Sequence, residues 1–167
     1  MPCLARLARN LFGGWGRLSR AFPETLLDAI AQAVQHGESG HLGEVCFAVE
    51  SRLPWRDALT GTSSTQRARD VFARLGVWDT EHRSGVLVYV LLAERRIEIV
   101  ADRGIACRVP ASVWQDICAA LQASCARGEW RDGSLHAVES IHALLREHFP
   151  AGGRANPDEL GNRPVLL

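Results

Sequence analysis

The sequence predicts a small layered α/β fold with a mixed sheet of about three or four strands. Two apolar runs, Val86–Leu92 and Ile97–Ala101, flank a short charged turn, which is the pattern of a β-hairpin. A further predicted strand, Gly43–Glu50, precedes the hairpin and is separated from it by a helical pattern. A helical crossover makes the first two strands parallel, so the third strand is antiparallel to the second.

The first helix is predicted to run from Pro23 to about His36, with apolar residues at helical spacing and Gly37 as its stop. The strand Gly43–Glu50 follows, and its alternating positions are apolar on both faces. Such a pattern favours a strand that is covered on both sides.

The segment Leu53–Gly61 is predicted to be a loop. A second helix follows, with Ser63 as its N-cap and Gln66 completing a capping box. Two more helices come after the hairpin, one starting at Pro110 and one after the turn at Gly128–Gly133.

The chain is predicted to contain one domain with two flanking segments. Residues 1–21 form a basic amphipathic segment with four arginines and no acidic residue, and Gly13-Gly14 interrupts its apolar face. This segment is expected to add little to the core; residues 1–20 either make peripheral contact with an anionic membrane or a partner, or form a partly ordered leader. Residues 22–150 form the domain, and residues 151–167 form a tail with too little periodicity for an element.

Composition excludes several classes of function. The formal net charge is +0, so the composition shows no excess of positive charge that would favour binding to nucleic acid. All 19 basic residues are arginine, so a Schiff-base lysine and a Walker-type phosphate lysine are both excluded.

The five cysteines form no CxxC pair, which favours buried free thiols in a reducing compartment over disulfides or a zinc site. No apolar run approaches the length of about 20 residues that spans a bilayer, and no signal-peptide pattern is present. We therefore expect a cytoplasmic protein, with the inner membrane as the surface that the N-terminal segment would contact.

Two other patterns are interpreted as coincidence. The C-x5-R spacing of cysteine phosphatases begins at Cys3, Cys46 and Cys125, but none of these sits in the strand–loop–helix cradle that the chemistry needs. Three histidines recur every six residues, at His136, His142 and His148. Six helical residues turn 600°, so the three point in different directions and cannot share one ion.

The strongest functional lead is a group of carboxylates at one edge of the sheet. In a hairpin, Asp102 returns to the segment that precedes the second strand, which contains Asp79 and Glu81. Glu44 enters the neighbouring parallel strand at the same edge. Hard divalent cations prefer such oxygen ligands, so Asp79, Glu81, Asp102 and Glu44 form a predicted metal site.

An alternative interpretation stays open for this edge. In it, Asp102 and Glu44 pair with Arg83 and Arg103 and only fix the loops. Three further residues of the same segment are candidates for acid–base chemistry or for a pocket wall, and these are His82, Arg83 and Trp78.

The segments WDTEHRS, GVLVYVLLAERRIEIVADRGI and NPDELGNRPVLL resemble the TPM domain family, and most closely its short bacterial branch. The resemblance runs from about Phe22 to Leu167. It implies an α/β/α sandwich with a mixed sheet, in agreement with the pattern above. It departs at two places, where Ser84 replaces an asparagine common before the glycine and Asp102-Arg103-Gly104 replaces Gly-x-Gly.

The resemblance also implies functions. Plant members are described as acid phosphatases, several members bind Ca²⁺ or Mg²⁺, and bacterial members often neighbour membrane proteins of the LemA type. The implied function is divalent-cation binding with metal-assisted hydrolysis of a phosphate ester. The alternative is a non-catalytic interaction module that acts near the membrane.

Overall fold

The computed structural model describes Arg6, Asn10, residues 15–157 and residues 159–167. Four strands form one mixed sheet, and these are β1 (Glu44–Glu50), β2 (Gly85–Leu91), β3 (Arg96–Ala101) and β4 (Val165–Leu166). The helices of the described residues are α1 (Trp15–Ala21), α2 (Glu24–Glu38), α3 (Trp55–Thr60), α4 (Ser64–Arg74), α5 (Arg103–Ala106), α6 (Ala111–Ala126) and α7 (Trp130–His148).

The strands lie in the order β3-β2-β1-β4. Strand β1 is parallel to β2, and β2 is antiparallel to β3, so the predicted topology is confirmed. The fourth strand comes from the tail, where the sequence has no periodic pattern. Its two residues pair in parallel with β1, and the Leu167 N–H donates to the Val49 carbonyl at 2.9 Å.

The sheet is covered on both faces, which confirms the α/β/α sandwich. Val45, Phe47 and Val49 belong to one core cluster together with apolar residues of α2, α6 and α7. Cys46 and Ala48 face the other way and share a second cluster with α4. The alternation within β1 therefore separates the two halves of the core.

Three local predictions need correction. Gly37 lies inside α2, which ends at Glu38, and its φ is not in the left-handed region that a glycine stop requires. The predicted loop after Leu53 contains the helix α3. Ser63 does cap α4, since its Oγ accepts the Gln66 N–H at 3.1 Å, but the Gln66 side chain donates to Asp70 and does not close a capping box.

The N-terminal segment contributes more to the core than predicted. Leu18 is 5% exposed and belongs to the main core cluster. The buried Asn10 side chain accepts the Leu53 N–H at 2.8 Å and donates to Glu94 at 3.0 Å. Arg6 also binds Glu94, at 2.6 Å. The predicted break at Gly13-Gly14 lies outside the described residues.

Candidate functional site

Strand register brings two predicted carboxylates into one row across the sheet. Glu44 is opposite Gly85 in the parallel pair β1–β2. On the other side of β2, the Asp102 N–H donates to the Gly85 carbonyl at 2.9 Å. Neighbouring strands are about 4.8 Å apart, so the Cα atoms of Glu44 and Asp102 are on the order of 10 Å apart.

These three residues also share a face. Cys46 lies two residues after Glu44 in β1, and Leu87 lies two residues after Gly85 in β2. Both pack on the α4 side of the sheet. Because strand residues alternate, Glu44 and Gly85 face that side too. Val100 of β3 packs on that side as well. Asp102 lies two residues after Val100 and therefore faces the same side of the sheet.

Both carboxylates are buried. Glu44 is 0% exposed and its Oε2 accepts the Leu160 N–H at 3.2 Å. Asp102 is 6% exposed and caps α5, since its Oδ1 accepts the Arg103 N–H at 2.6 Å. Within the described residues, the Asp102 Oδ2 atom is buried and has no hydrogen-bond partner.

The alternative pairing of Asp102 is wrong in the described part of the chain. No salt bridge joins Asp102 to the guanidinium of Arg83 or Arg103. Asp102 is instead held by its bond to the Arg103 backbone.

Two glycines allow carbonyl oxygens to approach this row. A Cβ atom on Gly85 would collide with the Val77 carbonyl oxygen. A Cβ atom on Gly104 would lie 2.5 Å from the carbonyl oxygens of both His82 and Arg83. Only glycine allows such close approach without displacing the loop. The Gly104 N–H also donates to the Arg83 carbonyl at 2.9 Å, so the loop lies beside Asp102 as the hairpin predicted.

The other two predicted ligands lie at the rim. Asp79 and Glu81 are exposed, and the Glu81 side chain is 68% exposed. The Glu81 N–H lies 3.2 Å from both carboxylate oxygens of Glu159, a residue that the sequence reasoning missed. Among the described residues, no three His, Cys, Asp or Glu side chains are grouped closely enough to hold a metal ion.

The three remaining candidates differ in their setting. His82 is half-buried, and its Nε2 lies 3.9 Å from the Glu81 Oε2. Arg83 is exposed and has a left-handed backbone with φ 51°. Trp78 is 54% exposed, and its indole N–H donates to the Ala73 carbonyl at 3.2 Å.

Comparison with known proteins identifies the family. A family model of the TPM domain matches residues 20–144. This chain belongs to the TPM domain family. No curated protein matches the chain. Among solved structures, it is similar to the NMR structure of BA42 protein from the psychrophilic bacterium Bizionia argentinensis sp. nov., with 27% sequence identity and a TM-score of 0.71 over 86% of this chain and 93% of that chain.

Ser84 has a structural role in this TPM domain. Its buried hydroxyl donates to the Leu42 carbonyl at 3.2 Å, and its N–H donates to the Thr80 hydroxyl at 3.1 Å. The residue thus ties the loop before β1 to the loop before β2. The two hydrogen bonds of Ser84 therefore hold the loops that precede Glu44 and Gly85.

The TPM domain also contains a buried histidine pair that the sequence did not indicate. The rings of His41 and His142 stack with centroids 5.0 Å apart, and both side chains are 0% exposed. Burial, together with the neighbouring His142, lowers the pKa of His41 to about 4, and burial lowers the pKa of His142 to about 4. Both imidazoles are therefore neutral at pH 7.

The cysteines of the TPM domain do not fit phosphatase chemistry. Burial raises the pKa of the Cys46 thiol to about 12 and that of the Cys125 thiol to about 11, whereas a nucleophile needs a lowered value. Cys3 lies outside the described residues. The prediction of buried thiols is wrong for Cys107, which is exposed and donates to the Gly104 carbonyl at 3.4 Å.

In the part of the chain that the structure describes, no helix is both long enough and apolar enough to cross a membrane.

Proposed function

We propose that this TPM domain binds a hard divalent cation, Ca²⁺ or Mg²⁺, at the amino-terminal ends of β1 and β2. Asp102 would bind the ion through its buried Oδ2 atom. The side chains of Glu44, Asp79 and Glu81 would move toward the ion when it binds, because among the described residues no three such groups are close enough to hold it in this structure. The observation that carries the proposal is the Asp102 Oδ2 atom, which is buried without a hydrogen-bond partner among the described residues. A buried carboxylate oxygen in that state is costly, and a cation would satisfy it.

The chemistry of the surrounding groups fits such an ion. Ca²⁺ takes six to eight oxygen ligands and accepts carboxylates together with backbone carbonyls. Val77, His82 and Arg83 direct carbonyl oxygens at the two glycines of this edge. The Glu159 carboxylate, which accepts the Glu81 N–H, adds a further oxygen donor at the rim.

The activity proposed for this site is hydrolysis of a phosphate ester. When bound, the cation would polarise the phosphate and activate water. His82 is half-buried beside Glu81 and is the candidate to deliver a proton to the leaving group. A substrate from solution would approach from the side of the exposed Asp79 and Glu81.

Calcium-dependent melting tests the cation site. Ca²⁺ at a hundredfold excess over its dissociation constant should stabilise the wild-type protein by about 2.7 kcal/mol. Asp102→Asn should abolish this shift, while the acceptor for the Arg103 N–H is retained. Asp116→Asn is the matched control, because Asp116 is exposed on α6. An Asp102→Asn protein that still responds to calcium would contradict the proposal.

A separate assay tests hydrolysis. We expect p-nitrophenyl phosphate to be cleaved in Mg²⁺ or Ca²⁺ and not in EDTA, with loss of the activity in Asp102→Asn. If calcium stabilises the protein but no ester is cleaved under any of these conditions, cation binding is retained and catalysis is rejected.

A second candidate is a non-catalytic interaction module, and exposed apolar residues favour it. Trp55 is 58% exposed and Leu166 is 41% exposed. Both line a cavity of about 460 Å³ at the carboxyl end of β1. Exposed tryptophans are common anchors of protein interfaces. Trp55→Ala should weaken binding to a purified LemA-type membrane protein at least about tenfold, and an unchanged affinity would reject this surface.

A further inference from the structure

A second cavity, of about 540 Å³, lies at the carboxyl end of β2. It opens between helix α1, the β2–β3 turn and the junction of α6 with α7, and its wall includes Arg20, Arg95 and Arg96. Its volume is within the range of about 300–1,000 Å³ that is typical of small-molecule sites.

The charge on its wall is uniformly positive. The three arginines are exposed, and among the residues that the structure describes no acidic side chain lines the cavity. None of the three forms a salt bridge with a carboxylate in the described residues. Guanidinium groups bind phosphate and carboxylate through two parallel hydrogen bonds.

The carboxylates nearest along the chain are engaged elsewhere. Glu94, which precedes Arg95, binds Arg6 at 2.6 Å. Glu129, which lies between the cavity residues Gly128 and Trp130, binds Arg127 at 2.7 Å. The positive charge of the cavity is therefore available to a ligand.

Most of the rest of the wall is apolar, apart from the side chain of Gln122. Val90, Leu92 and Ile97 line the cavity from the sheet, and Trp130 lines it from the start of α7. Such a wall favours a ligand with an apolar body over inorganic phosphate, because each buried methylene adds to affinity.

This cavity and the carboxylate row lie at opposite ends of the same strands. Strand β2 runs from Gly85 to Leu91, a span of about 20 Å at 3.3 Å per residue. A ligand in the cavity cannot touch a cation at Asp102. Open α/β sheets commonly bind their ligands at the carboxyl ends of parallel strands, where this cavity lies.

We propose that Arg20, Arg95 and Arg96 bind the anionic head of a soluble amphiphile, a monophosphate or carboxylate, whose apolar body lies against Val90, Leu92 and Trp130. The occupant is a free molecule and not a bilayer lipid, because the arginines line a concave cavity of ligand size.

Calorimetry with octyl phosphate, below its micelle concentration and in EDTA, tests the proposal. The wild-type protein should bind one molecule. Inorganic phosphate lacks the apolar chain, and octanol lacks the charge, so each should bind at least about tenfold more weakly. Equal affinity for inorganic phosphate or for octanol would overturn the proposal, and this comparison needs no variant.

Variants locate the site. Arg95→Gln/Arg96→Gln should weaken octyl phosphate binding by about tenfold or more. Arg69→Gln removes the same charge from an exposed position on α4, on the opposite face of the sheet, and should change affinity less than twofold. Equal losses in the two proteins would overturn the proposal. Asp102→Asn should bind octyl phosphate normally, so this result is independent of the cation site.

Vesicles distinguish the source of the anionic head. Phosphatidylcholine vesicles that carry phosphatidic acid should not pellet the protein through these arginines. Pelleting that depends on Arg95 and Arg96, without binding of monomeric octyl phosphate, would overturn the proposal in favour of a membrane surface.

Discussion

The Nε2 atom of His41 lies 2.7 Å from the Nδ1 atom of His142, although the two residues are 101 positions apart along the chain. The Gly43 N–H donates to the His41 Nδ1 at 3.1 Å, so that nitrogen is an acceptor and the proton of His41 is on Nε2. His41 therefore donates to His142. The pair joins the end of α2 and the start of β1 to α7 through two neutral rings.

This pair makes stability depend on pH. Burial lowers the pKa of each imidazole from 6.5 to about 4, so the unfolded chain binds more protons between these values. The stabilisation is fully present above about pH 6.5 and is lost as the pH falls through 4, by on the order of a few kcal/mol for the pair. Urea unfolding between pH 7.5 and pH 4 measures this loss.

Two variants assign the acid loss. His142→Asn should be less stable at pH 7 and should lose less further stability in acid. His136→Asn changes an exposed histidine on the same helix and should keep the wild-type pH profile. Identical profiles for His142→Asn and the wild-type protein would show that other groups cause the acid sensitivity.

Gly37→Ala should be destabilising, although alanine is the better helix former. A Cβ atom at Gly37 would collide with the His142 ring, whereas Gly161 has open space around it. Overpacking of this kind costs about 1–3 kcal/mol. Urea unfolding should show that loss for Gly37→Ala and almost none for Gly161→Ala. A smaller loss in a His142→Asn background would confirm the contact by its non-additivity.

Arg67→Met should strongly destabilise the protein. The guanidinium of Arg67 binds both oxygens of Glu50, at 2.9 and 2.6 Å, and Glu50 is 3% exposed and also accepts the Tyr89 hydroxyl. Removing the partner leaves a buried charge, at a cost of about 3–5 kcal/mol. Glu50→Gln in addition should recover part of this loss. Arg69→Met, at an exposed position, should change stability by less than about 0.5 kcal/mol.

Leu18→Ala should cost about 2–3 kcal/mol, because Leu18 is 5% exposed within the main core. Asn10→Ala should cost about 1–3 kcal/mol, because it leaves the Leu53 N–H without its acceptor. Thermal melts of both variants measure these losses. Wild-type stability in both would restore the view that residues 1–20 are dispensable for the fold.

The sheet could be predicted where its signal is local. The apolar run Val86–Leu92, the charged turn and the strand pattern of Gly43–Glu50 each lie within one short window. Together they were enough to predict the topology of three strands. Strand β4 has only two residues and exists because they pair with β1, so no periodic pattern could predict it. Helix α5 has four residues, which is also too few for a periodic pattern in the sequence.

The candidate site was predictable to the same extent. The antiparallel pairing of the hairpin was enough to predict that Asp102 lies beside the loop that precedes β2. Glu159 was missed because its approach to Glu81 depends on how the tail crosses the domain. The three arginines of the second cavity were missed because Arg20 is distant in sequence from Arg95 and Arg96, and no spacing rule joins them.

The exposed Cys107 gives a chemical handle on the carboxylate row. Maleimides react with thiolates, and the thiols of Cys46, Cys118 and Cys125 have pKa values raised by burial to about 12, 11 and 11. In a Cys3→Ser background, a fluorophore would therefore attach first to Cys107, which directly follows the short helix that Asp102 caps. The fluorescence of this label could report cation binding at Asp102 in real time, and no native carboxylate would have to be replaced.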